Sequence, residues 1–279
     1  MAKILIVGCG DLGLSIARLL SEQHAVYGLK RQAIPSIANL TMLQGDVTVA
    51  SSLKALRTLH PEFIIYCVAA DAQTDAAYQA QYVTGLANVL ATQQANPALR
   101  HVFFLSSTRV FGYDAGEWLD ESASVKPGDF GGERLLEAER LLAGLACSST
   151  ALRLSGIYGP GRLRMIRLAT SQAWPQQNSW SNRIHCDDAA AFTVYLLEQV
   201  LAGKPILPCY IVSDDAPATL YEVLAWLTGQ LQLSMPQHEQ QALTGKRLCN
   251  RLMRSTGYRL MYPNFQLGYR ALLDSLATG

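Results

Sequence analysis

The chain begins with an apolar strand that runs directly into three glycines spaced G-x-G-x-x-G and then into a helical pattern. The strand covers Lys3–Val7, and Gly8, Gly10 and Gly13 follow it. In this context Gly8 permits a tight turn, Gly10 lets backbone approach a pyrophosphate, and Gly13 lets the helix pack on the strand. Backbone N–H groups at a helix start attract phosphate. The pattern predicts a dinucleotide-binding turn; the alternative is a glycine-rich loop that binds no ligand. The residues of the predicted turn are Gly8, Cys9, Gly10, Asp11, Leu12 and Gly13.

Short Val- and Ile-rich segments alternate with helical patterns over most of the 279 residues. This alternation predicts an α/β fold with a doubly wound parallel sheet of Rossmann type and a smaller C-terminal substrate lobe. After Pro160 the alternation changes. We therefore expect a dinucleotide-binding domain over residues 1–160, with return segments near 184–215, and a substrate-binding lobe over residues 161–279.

Composition excludes several classes of function. The formal net charge is +1 and 16% of residues are charged, so no global electrostatic argument favours nucleic acid or a membrane surface. The six cysteines are scattered, without a C-x-x-C pair or zinc spacing. Reduced thiols in a cytoplasmic protein explain them better than disulfides or a metal site. The apolar N-terminus is too short for a signal peptide, and no transmembrane segment is predicted.

The end of the second predicted strand bears on the choice of cofactor. In dinucleotide sites an acidic residue at this place holds the ribose 2′-OH of NAD. Here the sequence has Lys30 and Arg31 instead. Two cations suit a 2′-phosphate, because arginine binds phosphate in a bidentate manner. We therefore expect NADP in preference to NAD; the alternative is that both cations only solvate a loop.

Five further ordered blocks give the chain a family resemblance. They are Gly45-Asp46-Val47, Ala69-Ala70, Ser106 to Gly112, Arg153 to Pro160, and Asn182 to Asp188. Together with the glycine turn, they resemble the extended short-chain dehydrogenase/reductase superfamily, the group that includes NAD-dependent nucleotide-sugar epimerases and dehydratases. The similarity runs over essentially the whole length of the chain.

The resemblance implies roles for several residues after the strands. Asp46 and Val47 would contact the adenine, and Ala69 and Ala70 would line the ribose and nicotinamide end. Ser107 matches the family's catalytic Ser/Thr position, which hydrogen-bonds substrate, and Ser106 would belong to the cofactor contacts. Asp46 has an alternative role as a turn residue.

The chain departs from the family at its proton-transfer motif. The resemblance implies Tyr-x-x-x-Lys at the start of the helix after the fifth strand, but the matching residues are Phe130 and Arg134. Phenylalanine has no proton to exchange, so Phe130 cannot be a general acid or base. Arg134 could still reach the ribose hydroxyls, or it could be a surface arginine paired with Glu137 or Glu133. The chain thus resembles atypical members that keep the nucleotide site and lack this dyad.

Other residues could supply the proton. The candidates are phenols and carboxyls near the expected nicotinamide end: Tyr113, Asp114, Glu117, Asp120 and Tyr158. Burial could shift the pKa of such a group into a catalytic range. Each has an alternative role, since both tyrosines could be packing residues and the acids could be solvated loop charges.

A basic segment and two tryptophans suggest the substrate side. Arg162, Arg164, Arg183 and His185 would face an anionic, phosphorylated or nucleotide-linked metabolite, with Trp174 and Trp180 offering stacking faces. The alternatives are a solvated basic helix with two packing tryptophans and, for His185, a buried histidine.

Two functions therefore remain open. One is an NAD(P)-dependent oxidoreductase or epimerase-like enzyme, and the other is a non-catalytic dinucleotide-binding sensor or regulator. By analogy with the resembling group, a homodimer through the helices near Gln73–Gln94 and Glu133–Leu145 is also expected.

Overall fold

The computed structural model describes residues 1–32, 35–36, 39–171, 173–235 and 243–278. Fourteen strands lie in these residues: β1 Lys3–Val7, β2 Ala25–Lys30, β3 Leu40–Gln44, β4 Phe63–Tyr66, β5 His101–Ser107, β6 Trp118–Leu119, β7 Ser148–Leu154, β8 Gly156–Tyr158, β9 Ser179–Ser181, β10 Arg183–His185, β11 Cys209–Val212, β12 Ala218–Thr219, β13 Thr244–Gly245 and β14 Arg247–Leu248. Seven of these strands form one parallel sheet in the order β11-β7-β5-β4-β1-β2-β3. The predicted α/β fold with a doubly wound sheet is confirmed.

Helices cover much of the rest of the described chain. They are α1 Asp11–Ser21, α2 Asp75–Tyr78, α3 Gly85–Ala91, α4 Phe130–Leu142, α5 Arg164–Ser171, α6 Cys186–Leu201, α7 Leu220–Gln230, α8 Arg251–Ser255 and α9 Phe265–Thr278. Two 3₁₀ segments lie at Ala50–Thr58 and Thr108–Val110, and a π-helical segment joins α2 to α3 at Gln79–Thr84. No helix in the described residues combines the length and the apolar character that crossing a membrane requires.

The central strands of the sheet are buried on both faces. β1 and β4 are apolar and almost entirely buried, as expected for parallel strands covered on both faces. β1 pairs with β2 on one side and with β4 on the other, in parallel register on both sides. The chain therefore reverses its direction of winding at β1. In such sheets ligands bind at the carboxyl ends of the strands beside this switch point.

Two helices differ from their predicted bounds. The segment predicted as one helix over Gln73–Gln94 is helical from Asp75 to Ala91, and its middle third is π-helical. The helix predicted from Glu133 begins three residues earlier, at Phe130, because the Asp129 side chain accepts a hydrogen bond from the Gly132 backbone and caps the first turn. Capping by Asp129 therefore outweighs the two glycines that follow Phe130.

The described chain divides into two compact units that alternate along the sequence. The first contains Met1–Gly112, Val125–Arg153 and Ala190–Tyr210, and the second contains Tyr113–Ser124, Leu154–Ala189 and Ile211–Gly279. The second unit has its own apolar core, in which α5, α7 and α9 bury residues such as Leu224, Leu227 and Tyr269. Three small sheets complete it, pairing β8 with β10, β6 with β14, and β9 with β12 and β13.

Candidate functional site

The glycine turn connects β1 to α1 at the switch point of the sheet. Gly8 has a positive φ of 92°, and a Cβ at this position would lie 2.7 Å from the backbone N of Val68. The N–H groups of Gly8 and Cys9 both donate to the carbonyl oxygen of Leu29, at 3.0 and 3.1 Å. Only glycine fits at position 8, because both the conformation and the space exclude a side chain. The turn is therefore held between the ends of β2 and β4.

The second and third glycines differ in their surroundings. A Cβ on Gly13 would collide with the carbonyl oxygen of Gly8, so α1 packs directly on the turn. A Cβ on Gly10 would meet no atom within 4 Å. Gly10 therefore borders open space at the start of α1, where a pyrophosphate could approach the backbone. This geometry fits a dinucleotide.

The other residues of the turn offer mainly their backbone. Cys9 and Leu12 have buried side chains, and the Asp11 carboxylate accepts a hydrogen bond from the Leu12 backbone at 2.8 Å. Burial raises the pKa of the Cys9 thiol to about 12, and the nearby charge of Lys30 opposes this rise only partly. The Cys9 thiol thus stays protonated near neutral pH and serves as a packing group.

The two cations lie at the end of β2, Lys30 as its last residue and Arg31 directly after it. Arg31 donates two hydrogen bonds to the carboxylate of Asp71, at 2.5 and 2.7 Å. These hydrogen bonds lower the pKa of the Asp71 carboxyl, and both side chains are about half exposed. Asp71 directly follows Ala70 and was not singled out from the sequence. The guanidinium of Arg31, which the sequence predicts to bind a 2′-phosphate, is therefore hydrogen-bonded to the Asp71 carboxylate in this structure.

Asp46 and Val47 follow β3. The Asp46 carboxylate accepts hydrogen bonds from the backbone and the hydroxyl of Thr48, at 2.9 and 2.7 Å. Val47 is buried against Gly85, where a Cβ would lie 2.7 Å from the valine Cγ2. One oxygen of Asp46 thus stabilises a local turn, which agrees with the turn role considered for it.

The small residues after β4 lie beside the helical run that begins at Asp75. Ala69 is exposed and Ala70 is half-buried. The phenol of Tyr82 hydrogen-bonds the backbone of Ala70, and burial raises the pKa of that phenol. This contact joins the loop after β4 to the π-helical segment.

The two serines at the end of β5 have separate partners. The Ser106 hydroxyl is buried and donates to Glu139 of α4 at 2.6 Å. Glu139 also pairs with Arg153 of β7 at 2.7 Å, with both side chains less than 10% exposed. The half-buried Ser107 accepts a hydrogen bond from the Arg109 backbone at 3.1 Å and caps a short 3₁₀ segment. Ser106 thus stabilises the packing of α4 on the sheet.

Phe130 and Arg134 lie on the first turn and a half of α4. Arg134 donates to the carboxylate of Asp75 at 2.7 and 3.0 Å and to Glu137 at 2.8 Å. These hydrogen bonds raise the pKa of Arg134 and lower the pKa of Asp75. The sequence predicts Glu137 as a partner of Arg134, because it lies one turn along the same helix. Asp75 is 59 residues away in the chain, and the sequence gives no sign of this contact.

An arginine that the sequence did not single out lies beside Phe130. Arg109 donates to the Asp129 carboxylate at 2.9 Å and to the Tyr78 hydroxyl at 2.7 Å. Its guanidinium carbon lies 5.1 Å from the ring centroids of both Tyr78 and Phe130. The available signal was the pair Gly131-Gly132, since two glycines are unusual at a helix start and leave room for a neighbouring side chain.

Arg162, Arg164, Arg183 and His185, which the sequence assigns to the substrate, belong to the second unit, as do Tyr113 and Tyr158. Tyr113 and Arg162 are half-buried, and Arg164 is exposed. The buried ring of His185 packs against Tyr158 and Tyr262, with centroids 5.2 and 4.1 Å apart. Burial lowers the pKa of the His185 imidazole.

Three buried polar groups of the second unit lie within electrostatic range of one another. In the described part of the chain, the Tyr158 hydroxyl, Arg183 Nη1 and Asp214 Oδ2 are buried without a hydrogen-bond partner. Burial raises the pKa of the Asp214 carboxyl to about 7, and the charge of Arg183 offsets this rise only in part. Burial likewise raises the pKa of the Tyr158 phenol. The other atoms of these two charged groups are paired, since Asp214 Oδ1 accepts from the Ala216 backbone and Arg183 Nη2 donates to the Ser181 hydroxyl.

A group of metal-ligand types also lies in the second unit. Ligand atoms of His185, Cys186 and Asp187 lie within 4.8 Å of one another. His185 Nδ1 already accepts a hydrogen bond from the Asp187 backbone at 3.3 Å. The absence of a metal site stays a prediction from the sequence.

Comparison with known proteins gives one family match. The model of the NAD dependent epimerase/dehydratase family matches residues 4–207. A search of curated proteins finds no match.

Solved structures resemble the chain over nearly its whole length. A protein from Methylobacillus flagellatus, named provisionally as an NAD-dependent epimerase/dehydratase, is 45% identical with a TM-score of 0.88, covering 99% of both chains. The enzyme WbmG of Bordetella bronchiseptica, solved with NAD and UDP, is 18% identical with a TM-score of 0.81, covering 99% of this chain and 95% of that one. The dTDP-glucose 4,6-dehydratase of Bacillus anthracis, solved with NAD, is 14% identical with a TM-score of 0.80, covering 100% and 97%. The last two likenesses concern the fold.

Proposed function

Because this chain belongs to the NAD-dependent epimerase/dehydratase family, we propose that it binds a nicotinamide dinucleotide and acts as an oxidoreductase of epimerase or dehydratase type. Its substrate is a small metabolite that is nucleotide-linked or phosphorylated. The observation that carries this proposal is the turn at the switch point, where Gly8 and Gly13 are required by the fold and Gly10 leaves open space for a ligand.

Residues of the first unit would hold the cofactor. The backbone from Gly8 to Gly13 would receive the pyrophosphate at the start of α1, and Asp46 with Val47 would contact the adenine. Ala69 and Ala70 have small side chains that leave room for the ribose and nicotinamide, and Ser107 would hydrogen-bond the substrate. The bound nicotinamide supplies a hydride acceptor and donor. The chain supplies orientation and the proton.

We further propose a preference for NADP, supported by Lys30 and Arg31 at the end of β2, where the sequence has no acidic residue. Arg31 would exchange its contacts with Asp71 for a 2′-phosphate, since both are anions that accept bidentate hydrogen bonds from a guanidinium. Lys30 would add a second cation. Equal dissociation constants for NADP and NAD would contradict this preference.

On the substrate side, the proposal assigns Arg162, Arg164, Arg183 and His185 to an anionic group of the metabolite. This assignment is supported by the presence of three arginines in one unit, of which Arg183 is buried, Arg162 is half-buried and Arg164 is exposed. The sequence offers Tyr113 and Tyr158 for proton transfer, and the fold adds a third phenol, Tyr78, beside Phe130. Arg134 remains a candidate for the ribose hydroxyls, and would have to exchange a contact with Asp75 to reach them.

The second candidate function is a non-catalytic dinucleotide-binding sensor or regulator. One observation favours it: Phe130 replaces the family's acid/base tyrosine, and Arg134, at the position of the family's lysine, is ion-paired with Asp75 and Glu137. The family resemblance also supports a homodimer through the helical run 75–91 and α4; light scattering that gives a monomer at micromolar concentration would contradict it.

The experiment that tests the proposal has two stages. Calorimetric titration with NADP⁺, NADPH, NAD⁺ and NADH, each alone, measures cofactor binding. Conversion of a panel of nucleotide sugars is then followed by chromatography of the products as well as by absorbance at 340 nm, because an epimerase or dehydratase restores its nicotinamide within each cycle and leaves no net change in absorbance. Binding with conversion of a nucleotide sugar supports the enzyme, binding without conversion of any member of the panel supports the sensor, and no binding contradicts both.

A further inference from the structure

Tyr78, the last residue of α2, lies against the phenylalanine that replaces the family's tyrosine. The ring of Tyr78 meets the ring of Phe130 edge-on, with centroids 5.5 Å apart and planes at 88°. The helix changes to the π pattern immediately after Tyr78. Short π-helical segments are frequent at functional sites. A phenol from another helix is therefore adjacent to the position at which the proton-transfer group is missing.

The hydroxyl of Tyr78 has two hydrogen-bond partners, the cation Arg109 and the neutral side chain of Gln73. It accepts a hydrogen bond from Arg109 at 2.7 Å and donates one to the Gln73 side chain at 3.0 Å. Gln73 is exposed and lies in the loop before α2. A substrate oxygen could take the place of Gln73 as the acceptor while the bond from Arg109 is kept.

Arg109 is fixed in position by several contacts. Its Nε donates to both oxygens of Asp129, at 2.9 and 3.0 Å, and its guanidinium lies over the rings of Tyr78 and Phe130. A Cβ at Gly131 would collide with this guanidinium, so glycine at that position leaves the space that Arg109 fills. The start of α4 is thus shaped around a permanent cation.

We propose that Tyr78 is the proton-transfer residue of this protein and that Arg109 is its positioning residue. This inference rests on the proposed function. In carbonyl reduction, the Tyr78 O–H bond breaks and its proton goes to the carbonyl oxygen, while the hydride and its electron pair form the new C–H bond. The reduced nicotinamide is thereby oxidised, and a solvent proton restores the phenol. In the reverse direction, the phenolate accepts the proton of the substrate hydroxyl.

Arg109 takes the role that lysine has in the family motif, since a permanent cation stabilises the negative charge left on the phenolate oxygen. General acid/base catalysis contributes on the order of 10²- to 10⁴-fold to rates. The Tyr78→Phe variant should therefore transfer hydride roughly 100-fold or more slowly, with an unchanged dinucleotide dissociation constant. The matched variant Tyr195→Phe, on α6, should keep both values.

A fluorine probe tests the inference without a known substrate. 3-Fluorotyrosine is placed at position 78, or at position 195 as the control. ¹⁹F spectra are recorded with saturating NADP⁺ or with 2′-phospho-ADP-ribose, which lacks only the nicotinamide, and with NAD⁺ or ADP-ribose as the second pair. The position-78 resonance should shift with the dinucleotide and much less with the matching ADP-ribose, and this difference should become smaller in Arg109→Gln, which removes the hydrogen bond to the Tyr78 hydroxyl. Dinucleotide binding without such a difference would overturn the inference alone, whereas the absence of calorimetric binding would overturn the proposed function as well.

Discussion

The glycine turn after β1 and the start of α4, the two regions to which we assign cofactor binding and proton transfer, are built differently. The turn offers mainly backbone atoms, because the side chains of Cys9 and Leu12 are buried. At the start of α4, side chains from three separate segments are in contact: Asp75 and Tyr78 of α2, Arg109 of the 3₁₀ segment and Arg134 of α4. The difference implies that the fold of the turn requires glycine at positions 8 and 13, whereas the contacts at the start of α4 depend on side chains that single substitutions can remove.

The largest effect is expected at Glu139, on the inner face of α4. Glu139→Gln should lower the free energy of unfolding by about 3–5 kcal/mol, because it removes the charge that pairs with the buried guanidinium of Arg153. The control Glu137→Gln breaks the more exposed pair with Arg134 on the same helix and should cost much less. Urea unfolding measures both values. Equal costs would show that α4 is not anchored by its buried side chains.

The next effect concerns Asp214, a buried carboxyl group of the second unit. The folded pKa of Asp214 is about 7, above the ordinary 3.8, because burial disfavours the carboxylate. The stability that this group contributes is full below pH 4 and is lost as the pH rises through 7. The loss at pH 8 should be on the order of 4 kcal/mol. Thermal unfolding should show Asp214→Asn to be more stable than the parent at pH 8, with a flatter pH profile. A parallel profile would contradict this account.

The next effect compares two glycines, one from each region. Gly13→Ala should destabilise the protein by about 1–3 kcal/mol, since its Cβ meets the fixed carbonyl of Gly8. Gly131→Ala should cost less, because its Cβ meets a side chain, the guanidinium of Arg109, and not fixed backbone, although the contact of Arg109 with Tyr78 would be disturbed. Thermal unfolding of both variants gives the comparison. A larger cost at Gly131 would reverse the distinction between the two regions.

The smallest effect is expected at Asp71, the side chain that competes for Arg31. Asp71→Ala should tighten NADPH binding by about 3- to 10-fold and leave NADH binding unchanged, because it frees a bidentate donor for the 2′-phosphate. Calorimetry measures both affinities. Glu62→Ala, which breaks the surface pair with Arg100, is the control. Weaker NADPH binding in Asp71→Ala would place Asp71 in the site as a ligand contact.

The same contrast explains how much the sequence could predict. The strand, the glycines and α1 are contiguous, so spacing alone identifies the turn and its place in a doubly wound sheet. The partners at the start of α4 are far apart in the chain: Arg109 and Asp129 are separated by 20 residues, and Asp75 and Arg134 by 59. Periodicity carries no information about such contacts. Loss of the tyrosine was readable from the sequence, whereas the neighbouring Tyr78 required the fold.

The most direct test of the account is the effect of Gly10→Ala on dinucleotide binding. A Cβ at Gly10 meets nothing within 4 Å, so the variant should unfold like the parent. Gly229→Ala, in α7, adds a Cβ that also meets no neighbour and is the matched control. The account predicts that calorimetry will show at least about a 10-fold loss of NADP or NAD affinity for Gly10→Ala, through a blocked pyrophosphate approach, and no loss for the control. Full affinity in Gly10→Ala would contradict the claim that this turn binds the cofactor.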